Sequence, residues 1–161
     1  MRGLNAYNSN AEMFYILDPS NQDHIRLLDE FQIENNIDLL SGIKMEDDSN
    51  RINKCLFIAE SSKMRDFCQI EGEKDLKKCK IVMAPIKTKR KRKLIKYATT
   101  YVLNALEMED AYVYIPIDDE ILAMNMEQDG YLSLDVQDGS LVFQKEKKDV
   151  LSQTGGYESY R

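Results

Sequence analysis

Histidine is almost absent from this chain, cysteine is scarce, and no long apolar run occurs. The single histidine, His24, leaves no multi-imidazole metal site and no histidine-based triad to consider; it stands among polar residues and reads as a surface residue of a helix. The three cysteines are Cys55, Cys68 and Cys79. An odd count without CxxC spacing excludes a disulfide framework, and each lies in an apolar, strand-like run, so buried, reduced thiols are expected. No apolar run approaches the roughly 18 residues of a membrane span, and the opening MRGLNAYNSN has no signal-like core. The expected compartment is therefore the cytoplasm. The acidic run Glu46-Asp47-Asp48 lacks the spacing of a calcium loop, and no metal is expected.

Of the 161 residues, 43% are hydrophobic and 31% charged, which suits one globular domain with a real core. That domain is expected over residues 12–147, with flexible segments at 1–11 and 148–161. The net charge of −6 disfavours general nucleic-acid binding. One stretch runs against this balance: Cys79 to Leu106, CKIVMAPIKTKRKRKLIKYATTYVLNAL. An apolar strand ending at Ile86 enters a basic turn, Lys87 to Lys93, which opens an amphipathic helix. Leu94, Ala98, Tyr101, Val102, Ala105 and Leu106 form its expected buried stripe. Seven Lys/Arg lie between Lys87 and Lys96. Cations at a helix start oppose the macrodipole by up to about 1 kcal/mol each. Either solvent bears this cost or an anion offsets it, and the free N–H groups of a helix start suit a phosphate.

The remaining elements follow from local pattern. Met13 to Leu17 reads as a first strand. Asp18-Pro19 reads as the N-cap and first position of a helix over about 19–34, with a short continuation through Leu39 and Leu40 to about 42. Three strands, 54–60, 65–71 and 79–86, follow with connections short enough to require an antiparallel meander. Pro85 cannot donate to a ladder, so pairing is expected to fail there. A strand at 111–117, containing Pro116, follows the long helix as its crossover partner and is expected to lie parallel to 79–86. Asp118-Asp119 caps a helix over 120–128 that Gly130 ends, and a hairpin around Asp138-Gly139 closes the chain. If the two proline-terminated parallel strands part, their backbones face a cleft.

This element order, with the strand, basic turn and helix at its centre, resembles the GNAT superfamily of acetyl-CoA-dependent N-acetyltransferases over residues 13–146. The resemblance implies an α/β fold with a mixed, mostly antiparallel sheet flanked by helices, ordered β-α-β-β-β-α-β-α-β-β. In the family the turn reads Q/R-x-x-G-x-G/A. Here Lys87 falls on the first position, and Arg90 and Arg92 fall on the two small ones. The resemblance implies acetyl-CoA or CoA as cofactor. Its pantetheine arm would lie on Met83, Ala84, Pro85 and Ile86, whose unpaired N–H groups would polarise the thioester carbonyl. Its phosphates would lie on Lys87, Lys89, Arg90, Lys91, Arg92 and Lys93. Arginine at the glycine positions crowds the backbone approach but offers a guanidinium fork. The family's general acid is a tyrosine in Y-x-x-x-G-F/Y; Gly130-Tyr131 matches the end of that pattern, and the acid position is Met126.

Other residues carry weaker signals. Glu71 and Glu73, at a strand end, are candidate general bases for an amine, or solvated carboxylates. Tyr112 and Tyr114 alternate on one strand as a half-exposed sheet face or a substrate lining. Cys79 has no neighbour that marks it as a nucleophile. Met124 and Met126 read as core filling. The leading expectation is acyl-CoA-dependent N-acetyl transfer to a small-molecule or protein amine. The alternatives are a catalytically degenerate GNAT-fold regulatory or interaction module, and an anion- or nucleic-acid-binding protein that uses the turn 87–93.

Overall fold

The computed structural model describes residues 11–37 and 47–148. The apolar runs become strands that share one sheet. In chain order the elements are β1 (Met13–Ile16), α1 (Gln22–Asn35), β2 (Arg51–Glu60), β3 (Lys63–Glu73), β4 (Lys78–Met83), α2 (Lys91–Thr100), β5 (Asp110–Pro116), α3 (Glu120–Gln128), β6 (Leu132–Gln137) and β7 (Ser140–Glu146). The spatial order is β1-β2-β3-β4-β5-β7-β6. β4 and β5 are parallel, as the crossover through α2 demands, and every other neighbouring pair is antiparallel. The mixed, mostly antiparallel sheet and the element order thus match the sequence reading. The expected loose ends and the continuation to about 42 fall largely on 1–10, 38–46 and 149–161, outside the described residues.

Turn chemistry fixes the registers. Ser61 and Ser62, at φ 52° and 65°, make the β2–β3 turn, and Asp138 and Gly139, at 51° and 76°, make the β6–β7 turn. Positive φ at both central residues matches the twist of the flanking strands. β4 stops at Met83, three residues short of the expected Ile86, because Pro85 has no N–H. The Ala84 N–H still reaches Phe67 O at 3.2 Å.

Strand alternation divides the core in two. One face carries Leu56, Cys68, Ile70, Cys79, Ile81, Val113 and Phe143 beneath α2 and α3. The opposite face carries Cys55, Phe57, Met64 and Phe67 beneath α1. All three cysteines are buried and unbridged, and burial pushes the Cys55 and Cys79 thiols up to about 12.

Four expectations are corrected. The first helix starts at Gln22, not Pro19: Asn21 is its cap, accepting from the N–H groups of Asp23 and His24, while the Asp18 carboxylate turns back to Ser20. His24 is buried rather than a surface residue. Its Nδ1 accepts from the Asp18 N–H at 2.9 Å, and its ring packs between Tyr15 and Phe57. The buried stripe after the basic turn is Leu94, Ile95, Ala98, Thr99, Val102 and Leu103, with Ala105 exposed. Residues Tyr101–Ala105 form a π-helical turn, whose extra residue rotates the apolar face. Met126 fills core as expected, but Met124 is 60% exposed.

One polar contact lies inside this framework. Lys91, the first residue of α2, and Asp66, on β3, are both 0% exposed. Lys91 Nζ donates to Asp66 Oδ1 and Oδ2 at 3.2 and 3.1 Å and to Ala84 O at 2.9 Å. Asp66 also accepts from the Phe67 N–H and from Thr88 Oγ1 at 2.6 Å. Burial pulls the Lys91 ammonium below its ordinary value, while Asp66 pushes it back. The pair ties β3, the end of β4 and the start of α2 to one point.

Two predictions follow from these burials. Lys91→Met alone strands a buried carboxylate and should cost about 3–5 kcal/mol in urea unfolding, whereas Lys91→Met with Asp66→Leu should recover most of that loss. Equal stability of the two variants would show that the pair is not coupled. Burial also holds His24 below the usual imidazole value of 6.5. The unfolded chain then takes up the proton first, so this contribution is whole above pH 6.5, declines below it, and is gone once pH passes the lower folded value. Between about pH 7 and pH 5, wild type should lose urea stability more steeply than His24→Phe. Parallel slopes would contradict this.

Candidate active site

The parallel pair β4–β5 is continuous from Lys78 and Asp110 to Val82 and Tyr114. Beyond that point β5 continues through Ile115 and Pro116 in contact with β7, while β4 turns away at Ala84-Pro85. The strands therefore part, as the two prolines suggested. Met83 and Ile115, from the ends of β4 and β5, belong to one apolar cluster with Leu122 and Met126 of α3.

The expected row of unpaired N–H groups from Met83 to Ile86 is not present. The Ala84 N–H goes to Phe67 O, the Ile86 N–H goes to Ala84 O at 2.8 Å, and Pro85 has none. Alternation along β4 turns the Met83 N–H toward β5, beside the last paired row Val82–Tyr114, so it is not a free donor either. Met126, at the family's acid position, is buried in the cluster. The Tyr131 hydroxyl is 2.7 Å from Thr99 Oγ1, and burial pushes this phenol up to about 12.

The basic turn is largely neutralised from within the fold. Lys87 Nζ lies 3.5 Å from Asp118 Oδ2, joining the two lips of the cleft. Arg90 reaches Glu12 and Glu60, each at 3.0 Å, and Lys93 reaches Glu12 at 2.7 Å. Arg92 forms a fork with Asp129 at 2.7 and 2.9 Å. The hydrogen bond from Lys93 is the main reason Glu12 sits below the ordinary carboxylate range, and Arg92 does the same for Asp129. Lys91 points into the core toward Asp66, so its ammonium is not available to a phosphate, contrary to the sequence reading. Lys89 is exposed and makes no ion pair among the described residues. Six cations from Lys87 to Lys93 thus face five carboxylates drawn from elsewhere in the chain.

On the face opposite α2 and α3, the part of the sheet away from the α1 core is polar. Register aligns Asn53, Glu71, Lys80, Tyr112 and Gln144 in one row, and Arg51, Glu73, Lys78, Asp110 and Glu146 in the next. The middle of both rows borders a cavity of about 550 Å³ lined by Glu71, Glu73, Lys78, Lys80, Tyr112 and Tyr114 among others. Gly72 lies in its floor, where a Cβ would collide with Cys79 Sγ. The Tyr114 hydroxyl donates to Gln137 Oε1 at 2.9 Å, while the Tyr112 oxygen accepts from Gln144 Nε2 at 3.4 Å. Burial, then Asp110, raises the Tyr112 phenol.

The structure therefore brings Glu71, Glu73, Tyr112 and Tyr114 into one cavity and keeps them apart from the basic turn. Arg51, Lys78 and Lys80 were missed in the sequence. The signal was present for two of them, since Lys78 and Lys80 alternate with buried Cys79 and Ile81. No group of metal-ligating residues occurs among the described residues, and no helix there is long and apolar enough to cross a membrane.

No family model matches the sequence, and neither does any curated protein. Solved structures do resemble the fold. The N-acetyltransferase PseH of Campylobacter jejuni is 13% identical, with 84% of this chain and 97% of that one covered and a TM-score of 0.57. A probable acetyltransferase is 16% identical over 86% and 94%, with a TM-score of 0.58. The spermidine/spermine N-acetyltransferase SpeG of Vibrio cholerae is 11% identical over 89% and 99%, with a TM-score of 0.56. At such identities the likeness is one of fold, and the chain has the fold of the GNAT-type N-acetyltransferases.

Proposed function

We propose that the chain is an acyl-CoA-dependent N-acetyltransferase acting on a small amine. The observation that carries this reading is the parting of β4 and β5 beyond Val82 and Tyr114, at the turn into α2. The similar PseH has been solved with acetyl coenzyme A, and SpeG is a spermidine/spermine N-acetyltransferase. In this chain the apolar cluster of Met83, Ile115, Leu122 and Met126 lies next to the parting and suits a pantetheine arm. The N–H groups of Lys91, Arg92 and Lys93 open α2, with Lys89 beside them, and they suit a diphosphate. Bound acetyl-CoA would supply the acyl thioester.

The chain's own part is to hold the amine and remove its proton. Glu71 lies one row, about 7 Å along the strand, from the Val82–Tyr114 row where the parting begins. It can accept the proton through water as the amine attacks and the thiolate leaves. A second reading, a cofactor-binding module without turnover, draws on buried Met126 and on the hydroxyls of Tyr114 and Tyr131, which are already bonded.

Calorimetric titration with acetyl-CoA should give binding that survives added salt, because the turn's charges are mostly paired internally. Absence of heat at either salt would overturn the reading. Glu71→Gln should keep that binding and lower turnover by about 10²-fold. Binding without turnover of any amine in wild type would select the second reading.

A further inference from the structure

The cavity on the polar face is organised in stripes that run along the strands. β3 presents the carboxylates Glu71 and Glu73, β4 the ammonium groups Lys78 and Lys80, and β5 the rings of Tyr112 and Tyr114. Adjacent stripes are about 4.8 Å apart at the backbone. Glu71 and Lys80 are direct cross-strand partners, the arrangement in which opposite charges ordinarily close on each other. They do not close here. Lys80 Nζ lies over the Tyr114 ring, 4.6 Å from its centroid, and neither Glu71 nor Lys80 has an ion pair among the described residues. A negative and a positive group in one cavity are each left facing it, with an aromatic wall on the positive side.

We infer that the acceptor is a zwitterionic amine of the α-amino-acid type, with its amino group on Glu71 and its neighbouring anionic group on Lys80. This rests on the transfer reading above and narrows it. A polycation would meet Arg51, Lys78 and Lys80 in the same cavity, three cations against Glu71 and Glu73. A simple monoamine would leave Lys80 unused. An amine with an adjacent carboxylate satisfies both stripes, and its side chain falls beside Tyr112 and Tyr114. The shared chemistry is an amine close to an anionic oxygen group, so a phosphate in place of the carboxylate meets the same contacts.

The test is calorimetry of the full chain, with and without CoA present, using matched probes. L-lysine is compared with cadaverine, L-phenylalanine with phenethylamine, and phosphoethanolamine with ethanolamine; spermidine serves as the polycation. At least one anionic member should bind about tenfold more tightly than its partner, the scale of one charge-assisted hydrogen bond. The amino-acid pairs and the phosphate pair separate carboxylate from phosphate as the recognised group. Lys80→Met should bring that ratio to within about twofold, with its acetyl-CoA titration reporting an intact fold. Spermidine or the plain amines binding as well as their anionic counterparts would overturn the inference, as would an unchanged ratio in Lys80→Met or no binding of any probe. Acetyl-CoA binding without the preference leaves the transfer reading standing and removes this one. The preference without acetyl-CoA binding removes the transfer reading and with it the acceptor role, leaving the cavity only as a binding site for such an amine.

Discussion

The fold around the cleft depends on the ion pair of Lys91 and Asp66. A lysine and an aspartate with no exposure cost several kcal/mol each in lost hydration, and only near-complete hydrogen bonding offsets that. The geometry meets the requirement. The Lys91 ammonium spends its donors on both carboxylate oxygens and on Ala84 O, and the carboxylate also takes the Phe67 N–H and the Thr88 hydroxyl. An apolar pair of equal volume would fill the space and leave the turn free to shift. The polar pair specifies where the turn must be, because each misplaced donor would leave a buried group unsatisfied. In GNAT sequences the corresponding turn follows a glycine-containing pattern. In this chain the turn carries arginine at those positions and is pinned from beneath.

The same turn shows how far local charge can mislead. Read along the chain, 87–93 is a cationic run that opposes the dipole of the helix it begins. In the fold, carboxylates from β2, β3 and the flanks of β1 and α3 converge on it. The dichotomy between solvent and a bound anion was therefore too narrow, since the protein supplies most of the counter-charge itself. What is left for a diphosphate is the ordinary equipment of a helix start, its free N–H groups, with Lys89 alongside. Arg90 and Arg92 act as struts, the first to β1 and β2 and the second to α3.

Which features were legible follows from the range of the interactions that decide them. Strands β2 to β7, the hairpin at Asp138-Gly139, the Asp119 cap and the parting at Pro85 are set by neighbours in sequence, and each was readable. The partners of Arg90, Lys91 and Arg92 lie 30, 25 and 37 positions away, and nothing in a local pattern names them. His24 looked polar because its sequence neighbours are polar; its burial comes from Tyr15 and Phe57, on strands reached only by folding. The stripe after the turn was misplaced because a 3.6-residue period cannot anticipate a π-helical turn at Tyr101–Ala105. Of the site, the carboxylates and tyrosines were seen singly. That Lys80 joins them required the register.

The absence of the family's acid weighs less against catalysis than it first suggests. An acid at that position would protonate a departing thiolate, and an ordinary thiol has a pKa near 8.5, so such a thiolate is a modest base that water can protonate near neutrality. General acid assistance is worth about 10²–10⁴-fold, so its loss slows a transfer without forbidding it. The attacking amine is more demanding. Near neutrality a free amine is almost wholly protonated and cannot attack until the proton is removed, so the proposed transfer can least do without its base. In the transfer proposed above, Glu71, facing the cavity with its cross-strand lysine turned away to Tyr114, is the candidate for that task. Had Lys80 closed on Glu71, the carboxylate would be screened from any amine. The cation–π contact at 4.6 Å therefore does two things, keeping Lys80 extended toward β5 and leaving Glu71 open to the cavity.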